Sequence, residues 1–218
     1  SAPGPTGPRV HVDVRLHEAA VTRLEVGDRV VRGAVEEIPG AGMLAIRAAW
    51  ARWAAGEFVQ QTRFDPLDRA DTEQALVLAL DGVVERLRAE PRTTLTLEVD
   101  GRSRSADLSR SGLASTGREW FDRIATRFAS HLRGDRARGL LSATAAALPG
   151  LTETLGESAG VPCDALDADA AVRGGLAACR LAGPETGPAD QATSGEAPFF
   201  ADLPCPDRAA SIEKTDGP

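Results

Sequence analysis

The chain has 218 residues, 42% of them hydrophobic, and its 25 basic and 32 acidic side chains leave a net charge of -7. That length suits one domain, or one domain with a tail, and the apolar content suffices for a real core. The acidic balance argues against nucleic-acid backbone binding, no run approaches the ~18 apolar residues of a membrane span, and the opening SAPGPTGP lacks an apolar signal core. A cytoplasmic protein with neither nucleic-acid nor membrane partners is the expectation. The cysteines, Cys163, Cys179 and Cys205, are odd in number, widely spaced and without a C-x-x-C, so reduced thiols are expected in place of a disulfide framework or a zinc site.

Residues 1–8 are rich in Pro and Gly and read as a linker or cloning remnant. Arg9 to Leu16 alternates, with Val10, Val12, Val14 and Leu16 on one face and His11, Asp13, Arg15 and His17 on the other. Val21 to Val26 and Val30 to Ile38 are further strand-like runs, with turns at Gly27-Asp28 and Pro39-Gly40. Three tightly joined strands form an antiparallel meander. The period then becomes helical from Gly42 to Gln61, where Met43, Ile46, Trp50, Ala54 and Phe58 make an apolar stripe that Trp53 widens.

Asp71-Thr72-Glu73-Gln74 has the pattern of a capping box, with Asp71 as cap, before a helix carrying Leu76, Leu80, Val83, Val84 and Leu87. Pro91 ends it. Thr93 to Val99 and Ser103 to Leu108 flank Asp100-Gly101, a strong short-range hairpin signal. Ser109 then caps a long helix carrying Leu113, Trp120, Phe121, Ile124, Phe128 and Leu132, which Gly134 is expected to stop.

From Gly139 to Arg180 the pattern reads strand, loop, helix, strand, loop, helix. Leu140-Leu141 is a short apolar run, Ser142 to Pro149 a loop, and Pro149 stands at a first helical turn before Leu151, Leu155 and Ala159. Val161 to Leu166 is the second apolar run. Asp167 or Asp169 suits the cap of a last helix that places Val172, Leu176 and Cys179 on one face. Gly174-Gly175 inside that helix predicts the close approach of another backbone or a ligand. Residues 183–218 are too polar and too rich in Pro and Gly to offset their ordering entropy, with Phe199-Phe200 and Leu203 as a candidate docking strap.

The order is therefore three antiparallel strands, a helix, an inserted helix-hairpin unit at about residues 62–109, a long helix, then strand, helix, strand, helix. With its apolar strand, its small-residue loop ending in Pro149 and the Asp169-Ala170-Ala171-Val172…Gly175 run, it resembles the second lobe of a DnaK-type chaperone in the actin-like ATPase superfamily. The resemblance spans about residues 9–182. It implies an α/β, ribonuclease H-like lobe with an inserted subdomain.

In such proteins the turn after the first strand is Asp-x-Gly-Gly-Gly-Thr, and its bare backbone approaches phosphate. The matching stretch here is Asp13-Val14-Arg15-Leu16-His17-Glu18, without glycine. The loop that lies on adenosine in the family through a glycine pair is Ser142 to Pro149, also without glycine. The helix that covers adenine, with a Glu-x-x-Lys-Arg pattern in the family, is represented by Asp81 to Glu85. By this resemblance a bound nucleotide with magnesium would meet Asp13, Arg15, Ser142, Thr144 and Gly174. No catalytic residue and no resident cofactor are expected.

His11, Asp13 and His17 invite a metal reading, but positions i and i+6 on a straight strand stand about 20 Å apart, which rules out one shared ion. Asp13 alone does not make a two-metal nuclease, which needs further acids gathered beside it. The expected function is thus a non-catalytic, chaperone-like pseudo-ATPase lobe that meets a protein partner or a first lobe. The alternative is a nucleotide-binding half that needs a first lobe to close the cleft.

Overall fold

The computed structural model describes residues 6–27, 30–132, 137–170, 172–174 and 176. The chain divides into two compact units, Ser1–Leu166 and Asp167–Pro218. The first is α/β and contains every strand described below.

Its frame is a mixed five-stranded sheet in the order β3-β2-β1-β6-β7, built from β1 (Gly7–Val14), β2 (Glu18–Val26), β3 (Val30–Pro39), β6 (Arg138–Leu141) and β7 (Cys163–Ala165). β1 pairs antiparallel with β2, which pairs antiparallel with β3, whereas β6 runs parallel to β1 and β7 parallel to β6. The valine alternation sets the faces. Val10, Val12 and Val14 are buried while His11 and Asp13 are half-buried, as a period of two requires.

Helix α1 (Met43–Thr62) follows β3 and presents Ile46, Trp50, Ala54 and Phe58 to the core. The aromatic stripe is core packing: Trp50 is buried and its Nε1 donates to the Leu113 carbonyl at 3.0 Å. Between α1 and α3 (Arg110–His131) lie a 3-10 turn (Pro66–Asp68), α2 (Ala70–Ala89) and the hairpin β4 (Arg92–Val99) with β5 (Arg102–Ser109). Asp100 and Gly101 both take positive φ, 51° and 73°, which gives the primed turn that matches strand twist. One hairpin face buries Leu95, Leu97, Ala106 and Leu108. The Ser109 hydroxyl caps α3 by accepting from the Gly112 amide at 3.0 Å, and Phe121, Ile124 and Phe128 lie on the buried side of that helix.

Several sequence expectations are corrected. Asp71 does not cap α2. The helix begins at Ala70, Arg69 precedes it without a side-chain cap, and the Asp71 carboxylate instead binds Arg69 at 2.7 Å. Asp65 caps the 3-10 turn just before, accepting from the Leu67 amide. That turn carries the chain inward, so that buried Thr72 donates to the Pro66 carbonyl at 2.7 Å. The Ser142–Pro149 stretch is not all loop: α4 (Ala143–Ala146) forms there, with the Ser142 hydroxyl accepting from the Ala145 amide. An alanine run behind a serine cap is sufficient cause. α5 (Leu151–Ala159) starts two residues after Pro149, behind Gly150 at φ 94°. His17 lies outside β1 in the turn before β2, so it shares no strand face with His11 and Asp13.

α3 ends at His131, with Leu132 at its C-cap, and the expected stop at Gly134 lies outside the described residues. In the second unit, residues 170, 172–174 and 176 are helical. The Arg173 amide donates to the Asp169 carbonyl at 2.8 Å, and its guanidinium pairs with Asp167 at 2.6 Å. Val172 is exposed. A Cβ built on Gly174 meets nothing within 4 Å, so no close approach explains this glycine among the described residues. Cys179, Cys205 and the Phe199–Leu203 strap lie outside the described residues.

Candidate functional site

The parallel pairing of β1 with β6 places Val12 beside Leu141, so Asp13, near the end of β1, and Ser142, just past β6, lie at the carboxyl ends of neighbouring strands. The Ser142 amide donates to the Val12 carbonyl at 2.9 Å, which fixes that junction. In an α/β sheet this edge is where ligands are usually held. Two of the residues singled out from sequence, Asp13 and Ser142, are therefore brought together.

What surrounds Asp13 is ill suited to an anion. Arg15 is held by Asp13 at 3.4 Å, Glu18 at 3.2 Å and Glu37 at 3.6 Å. Its single positive charge is outnumbered by these carboxylates, so the turn presents excess negative charge. The backbone is turned the same way. The Arg15 amide is spent on the Glu18 carbonyl at 2.8 Å, which closes the turn. The carbonyls of Arg15 and Leu16 accept from the Met43 and Leu44 amides at 2.8 and 3.0 Å, and the Gly40 amide donates to the His17 carbonyl at 3.1 Å. The first amides of α1, which would otherwise form an anion site, are thus occupied by the hairpin. Gly42 permits this approach: a Cβ there would collide with backbone atoms of Leu16, His17 and Glu18.

His11, on the same strand face as Asp13, has its imidazole pKa lowered, chiefly by burial. The Asp13 carboxylate opposes that shift and Arg15 adds to it. Half-buried Cys163 is pushed above the usual thiol range, first by burial and then by Asp164, which disfavours a reactive thiolate. Among the described residues no group of His, Cys, Asp or Glu side chains could hold a metal ion.

A second feature lies beside the first. α1, α2 and α4 enclose a cavity of about 200 Å³, lined by Met43 and Trp50, by Leu80 and Val84, and by Thr144 and Leu148. Its polar rim is a pair of ion pairs, Arg47 with Asp81 at 2.8 Å and Arg88 with Glu85 at 2.9 Å. Thr144, far from Asp81 and Glu85 in sequence, therefore shares one pocket with them. Arg47 and Arg88 had no sequence signal, because their role depends on α1 and α2 lying side by side. The pocket is smaller than the usual ligand cavity of about 300–1,000 Å³. Gly174 belongs to the second unit.

A broader groove of about 620 Å³ runs along α3 and α5, with Ser111, Ser115 and Arg118 on one side and Glu153 and Glu157 on the other. Arg110 at its end is committed to the carbonyls of Leu87 and Arg88, both at 2.6 Å. Among the described residues no helix is long and apolar enough to cross a membrane. No protein-family model matches the chain, and no curated protein matches its sequence.

Proposed function

We propose that this chain is a ribonuclease H-like lobe of the actin-like ATPase kind, nearest the DnaK-type chaperones, that has lost its phosphate chemistry. It acts as a non-catalytic, cytoplasmic protein-interaction module. Three features support the lobe reading: the strand order β3-β2-β1-β6-β7, the unit inserted between α1 and α3, and the cavity shared by α2 and α4. The loss of phosphate chemistry rests on one observation, the Arg15 turn. Its cation is surrounded by Asp13, Glu18 and Glu37, and its carbonyls face the amides of α1. A ligand that binds only the folded state raises its stability by RT ln(1 + [L]/Kd). Thermal unfolding of the chain is therefore expected to be unmoved by millimolar MgATP, and a dose-dependent rise in Tm contradicts the reading.

The cavity rimmed by Asp81, Glu85 and Thr144 favours a second reading, a nucleotide-binding half that is completed by a first lobe. Its prediction differs, since the base and not the phosphates would carry binding. Adenosine alone would then raise Tm as much as MgATP does, and Thr144→Trp, which fills the cavity, would abolish both effects.

A further inference from the structure

The two-residue loop Asp100-Gly101, with both φ positive, makes Val99 and Arg102 the first hydrogen-bonded pair of the β4–β5 hairpin. Alternation from that pair points the backbone N–H and C=O groups of Arg92, Thr94, Thr96 and Glu98 away from β5. The same alternation points those of Asp107 outward on β5, and there the phase is visible. The Gln61 side chain of α1 accepts from the Asp107 amide at 2.8 Å and donates to its carbonyl at 3.0 Å. One edge of the hairpin is thus covered by a side chain that imitates a strand. β4 has no such cover: no described residue hydrogen-bonds to the outward backbone of Thr94, Thr96 or Glu98, and β4 pairs with no second strand.

Natural edge strands are usually blunted by bulges, proline or lysine. β3, the long edge of the main sheet, follows that rule, with a bulge between Arg32 and Val35. β4 does not. Its register runs unbroken from Arg92 to Val99, with no proline, glycine or lysine, and it exposes Thr94, Thr96 and Glu98 over buried Leu95 and Leu97.

We propose that this edge pairs antiparallel with β4 of a second copy of the chain, about a two-fold axis at Leu95. In that register Arg92 stands opposite the partner's Glu98 at both ends, Thr94 opposite the partner's Thr96, and Leu95 opposite its own copy. Every hydrogen-bonded pair then joins residues whose backbone groups already point outward, and opposite charges face each other across the strands. Moving the axis to Thr96 sets Arg92 against Asp100 instead, which lies in the turn beyond the strand and is already paired with Arg69 at 2.8 Å. The two hairpins become one four-stranded sheet, and this pairing is independent of whether nucleotide binds.

Sedimentation velocity of the full chain from about 1 to about 500 µM covers the affinity range of a short strand pairing. A concentration-dependent dimer is expected. Thr96→Pro removes an amide that β5 does not use, and it yields a monomer with an unchanged circular dichroism spectrum. Arg92→Glu and Glu98→Arg each place like charges opposite at both ends and weaken the dimer about tenfold, and the double swap restores it. These charge variants leave the buried face intact, so they decide the matter even where the proline variant misfolds. A chain that stays monomeric throughout overturns the proposal. So does a dimer indifferent to Thr96→Pro, or a double swap no tighter than the single changes.

Discussion

The amide of Met43 donates to the carbonyl of Arg15 at 2.8 Å, so the first turn of α1 is anchored on the β1–β2 hairpin. This bond, with its neighbour from Leu44 to Leu16, decides which backbone groups the turn offers to solvent. Gly42 is the residue that makes the anchoring possible. Gly42→Ala would push a methyl group into the backbone of Leu16, His17 and Glu18, which cannot swing aside as a side chain can. Overpacking of this kind costs about 1–3 kcal/mol. A urea denaturation series on wild type and variant is expected to show a lower midpoint with an unchanged slope.

The charges around Arg15 have a different weight. Arg15, Asp13, Glu18 and Glu37 are all partly open to water, and exposed ion pairs contribute about 0–1 kcal/mol. Arg15→Ala is therefore expected to leave stability within that range. It also makes the turn more negative, so nucleotide affinity does not appear in the variant. Denaturation and equilibrium dialysis with labelled ATP check the two halves of this expectation.

His11 links the same strand to pH. Its folded-state pKa lies below the ordinary value of 6.5, mainly through burial. In the window just below 6.5 the unfolded chain binds the proton and the folded chain does not. Stability therefore falls as pH drops through that window and is unaffected by this group above it. Urea midpoints measured between about pH 5 and 8 should show the slope, and His11→Gln should flatten it.

Trp50 ties α1 to α3. Trp50→Phe keeps most of the buried ring surface but leaves the Leu113 carbonyl without the indole donor. Because Leu113 lies within α3, its carbonyl keeps the helical amide four residues on, and the loss is that of one hydrogen bond, about 0.5–1.5 kcal/mol. Calorimetry should show a matching fall in Tm while the far-ultraviolet spectrum stays unchanged.

Local signals were the legible ones. The alternation through Val10, Val12 and Val14, the Asp100-Gly101 turn and the Ser109 cap each act over a few residues, and each stands in the structure as its chemistry requires. The helical stripe through Ile46, Trp50, Ala54 and Phe58 was equally plain. Asp71 misled because the 3-10 turn at Pro66 to Asp68 intervenes: Asp65 caps that turn, Thr72 donates back to the Pro66 carbonyl six residues earlier, and the Asp71 carboxylate is spent on Arg69. α4 was concealed by its length, since four residues give no periodicity to read. At the candidate site, Asp13 could be placed from the strand pattern alone. The enclosure of Arg15 by Glu37 could not, because it needs β3 folded back alongside β2. The cavity between α1, α2 and α4 was likewise hidden, as its Arg47–Asp81 rim joins two helices whose facing is non-local.

The measurement that tests the central claim most directly is calorimetric titration of ATP and ADP, with magnesium, into the full chain. A turn whose only cation is held by Asp13, Glu18 and Glu37 is expected to give no saturable heat. Saturation at micromolar nucleotide that disappears in Asp13→Ala would contradict it, and would place a working phosphate site at Asp13 to Glu18.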